Sequence, residues 1–169
     1  STLTGKRPLI KLAEAASRFD QASSPRPMIS YRRFVPEDSE AIPGVDFDPM
    51  RIPPNFGDYG QRHLFYSELR GIDFDCAGHS GCIGVLMNAA QGSTLKNVKI
   101  NASGALAGIR AGPANQDGFA GNIEVIGGQY GLYLVRLPFA GIGSYMGGGV
   151  YAGLTLINQT VRAIVCDCE

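Results

Sequence analysis

The feature that most constrains the fold is a short strand-like phrase that occurs four times between Leu69 and Ile157. Its copies are Leu69–Asp75, Leu95–Asn101, Ala120–Ile126 and Tyr151–Ile157. Apolar and polar residues alternate in each copy, which is the period of a β-strand with one buried face. The central apolar residues of the copies, Ile72, Val98, Ile123 and Leu154, are 26, 25 and 31 residues apart.

A second phrase recurs between the copies of the first. Its members are Gly84–Met87, Gly108–Ala111, Gly131–Leu134 and Ala163–Cys166, at intervals of 24, 23 and 32 residues. Two interleaved strand series with a common step indicate a coiling chain, in which each repeat buries its apolar face against the next. The sequence therefore predicts an all-β fold, a right-handed parallel β-helix of about four to five coils.

The repeats divide the chain into three parts. Residues 1–34 hold two short strand patterns, Pro8–Leu12 and Pro27–Tyr31, and are predicted to form an irregular first coil or N-terminal cap. Residues 35–63 contain five prolines and are predicted to be a loop insertion. Residues 64–169 are predicted to form the coils. They stop on or just after a strand without a polar cap, so we expect a fragment of a longer solenoid.

Composition bounds the class of protein. At 169 residues with 44% hydrophobic content the chain has the size of one domain with a sizeable core. Fifteen basic residues balance fifteen acidic ones and are scattered, so a nucleic-acid partner is not expected. No apolar run approaches about 18 residues, so a membrane span is not expected. Ser1 follows neither an initiator Met nor a signal-peptide pattern, so we do not expect it to be the biological start.

Cysteines and glycosylation patterns bear on localisation. Cys76 and Cys82 flank a tight corner, where a disulfide is geometrically plausible in an oxidising compartment. The alternative is two small buried apolar side chains. Asn101 and Asn158 each begin an N-glycosylation acceptor triplet. These features favour a secreted or extracellular protein. Cysteine spacing does not fit a zinc site, and neither a metal nor another cofactor is expected.

Three charged residues, Asp73, Lys99 and Glu124, occupy the same place in successive repeats and are predicted to point outward. The two acids could flank a glycosidic bond as a catalytic pair. The alternative is a cross-strand charge ladder of small stabilising value, which we favour because the lysine lies between the acids. Asp73 and Glu124 stay candidates for substrate binding, together with Tyr145 in a glycine-rich excursion over 137–149. No nucleophile is assigned to His63 or His79, and the catalytic residues are unknown.

One segment carries a family resemblance. The stretch Gly84–Val98, with Gln91, Leu95 and Asn97, resembles pectate-lyase-superfamily β-helices, especially the exo-β-1,3-glucanase type, in which a Gly-Ile strand leads to Ala-Gln and then Ser-Leu-x-Asn-Val. The preceding Phe65–Phe74 looks like the preceding coil of that family. The resemblance covers roughly residues 64–165 and, more loosely, 8–31.

The resemblance implies a polysaccharide partner. Glucanases of this type consist of two β-helices side by side, with acid residues in the cleft that come largely from the second. This chain corresponds to part of the first helix, so those catalytic residues have no positions here, and the remainder of a longer chain or a second β-helix is an expected partner. The expected function is part of an extracellular carbohydrate-active protein, a β-1,3-glucanase-like hydrolase or a polysaccharide lyase. The alternative is a noncatalytic structural, adhesive or spike-like module.

Overall fold

The computed structural model describes residues 6–31, 66–89, 91–113, 117–135 and 149–167. This part of the chain is all-β apart from one 3₁₀ turn, Ser17–Phe19, and no helix in it is long or apolar enough to cross a membrane. The strands are β1 (Leu9–Lys11), β2 (Arg26–Tyr31), β3 (Glu68–Arg70), β4 (Asp73–Asp75), β5 (Cys82–Ala89), β6 (Thr94–Ala102), β7 (Ala107–Pro113), β8 (Phe119–Gly127), β9 (Tyr130–Val135), β10 (Val150–Ile157) and β11 (Arg162–Asp167). The predicted all-β class is confirmed, and the predicted insertion at 35–63 lies outside the described residues.

The strands form two sheets, and the chain alternates between them. Sheet A has the order β1-β4-β6-β8-β10, with β3 also paired to β6, and sheet B has the order β2-β5-β7-β9-β11. Every pairing is parallel. Two parallel strands that are neighbours in a sheet must be joined by a crossover connection. Here each crossover contains a strand of the other sheet.

The strand register reproduces the sequence repeat. In sheet A, Val98 pairs with Ile123, and Ile123 pairs with Leu154. Sheet B aligns Val85, Ile109, Leu132 and Ile164. Residues that share a place in the repeat therefore lie beside one another across the sheets, which is the stacking that the intervals predict.

Apolar columns from the two sheets form the core. Its central members are Val98, Ile100, Ile123 and Val125 from sheet A, and Val85, Met87, Ile109 and Leu132 from sheet B. Each of these side chains is at most 1% exposed. Burying one such side chain contributes about 1.5–3 kcal/mol, so the columns hold the sheets together. Ile164 in β11 is 48% exposed, since among the described strands β11 has a neighbour on one side only.

Glycines allow the two sheets to approach closely. Gly84 in β5 and Gly108 in β7 occupy matching positions, which Gly131 continues in β9. A Cβ atom added at Gly84 would lie 2.6 Å from Cγ2 of Ile100, and one added at Gly108 would lie 2.3 Å from Cγ1 of Val125. Non-bonded carbon atoms cannot lie this close together. Any side chain at these positions would therefore push the sheets apart.

A column of residues in the left-handed conformation bends the strands of sheet A. It consists of Gly71, Asn97, Asn122 and Gly153, with φ of 67°, 54°, 50° and 62°. Glycine and asparagine are the residues that adopt this conformation most readily. Nδ2 of Asn122 donates a hydrogen bond to Oδ1 of Asn97 at 2.8 Å. In the first repeat the bend separates β3 from β4, whereas β6, β8 and β10 continue through it.

Replacing Asn122 by alanine should destabilise the protein by about 1–2 kcal/mol, because alanine resists the left-handed conformation and cannot bond to Asn97. Asn122→Gly keeps the backbone freedom and should cost less. Urea denaturation of both variants, compared with the parent chain, measures the difference. Equal losses for the two variants would contradict a role for the backbone conformation.

Candidate functional site

The two acids predicted as a substrate-binding pair, Asp73 and Glu124, lie on either side of Lys99. Lys99 is opposite Glu124 in the register, and its Nζ lies 2.9 Å from Oε1 of Glu124. Oδ1 of Asp73 accepts a hydrogen bond from the backbone N–H of Lys99 at 3.0 Å and lies 2.7 Å from Nε of Arg7. Each carboxylate therefore has its own cation, Arg7 for Asp73 and Lys99 for Glu124, and Lys99 reaches Asp73 through its backbone N–H.

Of the other residues considered from the sequence, Tyr145 and His63 lie outside the described residues. A role for Tyr145 in substrate binding stays a prediction. His79 is buried at the corner between Cys76 and Cys82. Its Nδ1 donates a hydrogen bond to Oδ1 of Asp20 at 2.8 Å.

The contact between His79 and Asp20 joins the 3₁₀ turn to this corner. Oγ of Ser80 donates to the carbonyl oxygen of Asp20 at 2.6 Å, and the N–H of Gly81 donates to the carbonyl oxygen of Phe19 at 2.8 Å. Sequence reasoning missed the pair because 59 residues separate its members and neither lies in a repeat. The carboxylate fixes the orientation of the imidazole ring, and the pair holds the corner in place.

The two cysteines of the corner, Cys76 and Cys82, are fully buried free thiols in this structure. A hydrogen bond with Cys76 and, to a lesser extent, burial raise the pKa of Cys82 above its usual value. This arrangement matches the interpretation of two small buried side chains. The disulfide stays a prediction.

Two polar side chains at matching corners, Asp75 and Asn101, each bond to a residue two positions further along the chain. Oδ1 of Asp75 accepts a hydrogen bond from the N–H of Ala77 at 3.2 Å. Oδ1 of Asn101 accepts one from Oγ of Ser103 at 2.9 Å. Of the two glycosylation candidates, Asn158 is exposed and Asn101 is half-buried. Glycosylation at either position stays a prediction.

Sheet B contains a buried cation that the sequence did not single out. Arg110 lies 5.0 Å above the ring centre of Tyr133 and donates a hydrogen bond from Nη1 to the carbonyl oxygen of Tyr133 at 3.3 Å. Burial lowers the pKa of Arg110 to about 10, and the charge interaction with Tyr133 opposes that shift. The guanidinium is therefore still charged at neutral pH, and the ring stabilises it.

Two aromatic rings rest on glycines close to the strands of sheet A. A Cβ atom added at Gly121 would lie 2.4 Å from Cζ of Phe119, and one added at Gly92 would lie 2.5 Å from Cδ1 of Tyr66. Each ring therefore occupies the space that a side chain would fill. Tyr66 is 81% exposed, and Phe119 is half-buried. The glycines thus hold two rings against the surface while leaving them accessible to a ligand.

Basic and polar side chains lie on the strand that follows Tyr66 and on the strand between it and that of Phe119. Phe119 is opposite Thr94, and the glycine under its ring is opposite Lys96. Lys96 is opposite Arg70 in the next strand, and both side chains are exposed. We define Tyr66, Arg70, Thr94, Lys96 and Phe119 as the aromatic-basic track.

Sequence reasoning missed the aromatic-basic track, although signals for it were present. Phe119 and Gly121 are two residues apart in a strand, so they share a face, and the ring can cover the glycine. A signal for Tyr66 and Gly92 was present as well, because they are 26 residues apart, which is the interval between the first two repeats, and the register therefore brings them side by side.

Within the described ranges, no group of three or more His, Cys, Asp or Glu side chains could hold a metal ion. Comparison with known protein families, with curated proteins and with solved structures finds no match to this chain. The resemblance to β-helix glucanases therefore depends on the residues of the segment Gly84–Val98.

Raising the pH above about 9 should destabilise the protein through Cys82. Because the folded-state pKa of Cys82 lies above the ordinary value of 9.0, the folded state keeps a proton that the unfolded chain releases. The resulting stabilisation is complete below that ordinary value. It is lost as the pH rises, at up to about 1.4 kcal/mol per pH unit.

Urea denaturation across this pH range measures the loss, with Cys82→Ala as the control. The variant lacks the titrating thiol, so its free energy of unfolding should fall less steeply with pH. An identical slope in both proteins would refute the assignment to Cys82.

Proposed function

We propose that the chain is part of a right-handed parallel β-helix of about four to five coils that binds an extended polysaccharide along the aromatic-basic track. Support for the β-helix comes from the alternation of the chain between two parallel sheets and from the pairing of equivalent residues in successive repeats. Repeats of about 25 residues, each unable to bury its apolar face alone, suit a solenoid. The larger protein is extracellular and carbohydrate-active.

The main support for this proposal is that two aromatic rings, Tyr66 and Phe119, lie against glycines. An aromatic ring offers a broad apolar face, which suits the C–H face of a sugar ring. Because Tyr66 and Phe119 lie against glycines, each ring keeps an accessible face on which a ligand can stack. Successive strands lie about 4.8 Å apart, so they present side chains at regular steps, as a polymer of repeating units requires.

The charge ladder does not supply the catalytic acids in this proposal. Asp73 and Glu124 are two strand steps apart, about 9.5 Å, which is at the upper limit for the two carboxyls of an inverting glycosidase. Lys99 lies between them, with its ammonium group on Glu124 and its backbone N–H on Asp73. The reaction is β-1,3-glucanase-like hydrolysis or polysaccharide elimination, with catalytic residues outside this chain, as the family resemblance implies.

A noncatalytic structural or adhesive module is the second candidate. The engaged carboxylates of the ladder and the hydrogen bond between Asn97 and Asn122 favour it, because both stiffen the strand stack without leaving a reactive group. The two candidates differ in one measurable respect. Only the first requires a polysaccharide to bind along the track.

Replacing Phe119 by alanine should weaken polysaccharide binding about fivefold, because one stacking surface is lost. Isothermal titration of the full chain with soluble β-1,3-glucan and with pectin measures the change. Tyr130→Ala is the matched control, since this half-buried tyrosine lies in sheet B. Its affinity should stay that of the parent chain.

Gly121→Ala gives an independent test, because the added Cβ displaces the ring of Phe119 without removing it. We expect it to weaken binding as Phe119→Ala does. Binding that is unaffected by both variants would overturn the assignment to the track. Reducing-sugar release from the same glycans should be absent, and rapid hydrolysis would show that the catalytic residues do lie in this chain.

A further inference from the structure

Two buried thiols meet at the corner between β4 and β5. Cys76 and Cys82 are fully buried, and a hydrogen bond joins their side chains. Two successive turns bring them together, because the N–H of His79 donates to the carbonyl oxygen of Cys76 at 3.3 Å, and the N–H of Cys82 donates to the carbonyl oxygen of His79 at 2.9 Å. The sulfur atoms of a disulfide lie about 2.0 Å apart. Only a short further approach therefore separates these thiols from a covalent bond.

The corner lies between two other parts of the chain. On one side is the turn after β6, where the N–H of Gly78 donates to the carbonyl oxygen of Ser103 at 2.8 Å. On the same side, the N–H of Leu106 donates to the carbonyl oxygen of Cys82 at 3.0 Å. On the other side are residues 12–25, between β1 and β2, which we name the docked segment. A reagent can reach the thiols only if one of these sides moves away.

Hydrogen bonds attach the docked segment to the corner. Asp20 accepts one from Nδ1 of His79 at 2.8 Å and, through its backbone carbonyl, one from Oγ of Ser80 at 2.6 Å. The N–H of Gly81 donates to the carbonyl oxygen of Phe19 at 2.8 Å. Among the described strands, β1 and β2 each have a neighbour on one side only. Elements at the end of a stack open at the lowest free energy, so the docked segment is the side that moves.

This arrangement makes the redox chemistry of the thiol pair depend on the docked segment. We infer that Cys76 and Cys82 close to a disulfide when the segment detaches, with a small disulfide such as oxidised glutathione as the oxidant. The contact between Asp20 and His79 then controls the rate. The hydrogen bond with Cys76 and burial also raise the pKa of Cys82, so its reactive thiolate is scarce while the corner is closed.

The oxidation is a two-step thiol–disulfide exchange. One cysteine thiolate attacks a sulfur atom of oxidised glutathione, forms a mixed disulfide and releases one glutathione thiolate. The second cysteine then attacks the cysteine sulfur of the mixed disulfide, and the second glutathione leaves. The protons of the two protein thiols end on two molecules of glutathione. The cysteines lose two electrons to the oxidant, and the new bond joins the two ends of the corner.

A full chain that carries Cys166→Ser and Cys168→Ser tests the inference, because these changes remove the other two thiols. The reduced protein is incubated with oxidised glutathione, samples are quenched by alkylation, and intact mass with peptide mapping follows the disulfide. We expect Cys76 and Cys82 to become linked, about a hundredfold more slowly in the folded protein than in urea. A folded chain that keeps both thiols, or gains two glutathione adducts in place of the internal bond, would overturn the pairing.

Two variants in the same background test the control by the docked segment. Asp20→Ala removes the acceptor for His79 and should speed disulfide formation about tenfold. Ser103→Ala is the matched control, because it removes a 2.9 Å side-chain hydrogen bond, to Asn101, on the opposite side of the same corner. It should oxidise at the parent rate. Equal rates for Asp20→Ala and the parent, or equal acceleration by both variants, would refute a role for the docked segment.

Discussion

The fold depends on the burial of apolar columns between two parallel sheets. Ile100 and Val125 occupy one column, and each points at a glycine in the opposite sheet. Because glycine has no side chain, the two sheets can come close enough for the columns to exclude water. This close packing fixes the position of each strand relative to its neighbours. A slip of one residue would turn every buried valine and isoleucine to the solvent. The interior therefore determines the register of the whole stack.

The register that the buried columns impose also positions the side chains on the surface. Lys99 contacts Glu124 because Val98 and Ile100, on either side of it, are stacked on Ile123 and Val125. The hydrogen bond between Asn97 and Asn122, and the position of Lys96 beside the ring of Phe119, have the same origin. None of these surface contacts needs to be strong. Each is placed by apolar burial that contributes several times more free energy than an exposed ion pair.

Hydrogen bonds to an earlier segment of the chain position the corner between Cys76 and Cys82. It joins the two sheets, and its backbone is bonded to the segment around the 3₁₀ turn, where the N–H of Gly81 donates to Phe19. Asp20 reaches His79 from that segment, and a side chain at Gly81 would meet the backbone of Gln21. An early part of the chain is thus fitted closely against a later corner. The fit requires a glycine and a small buried thiol pair in place of larger side chains.

The sequence by itself determined the strands, their parallel order and the register. A fixed repeat with a period of two allows only one stacking that buries Val98, Ile123 and Leu154 together. The contact of Lys99 with Glu124 could therefore be predicted. Tertiary structure alone decided that Asp20 bonds to His79 and that the backbone of Gln21 lies against Gly81. These contacts depend on the path of corners and turns, and no periodic pattern in the sequence encodes that path.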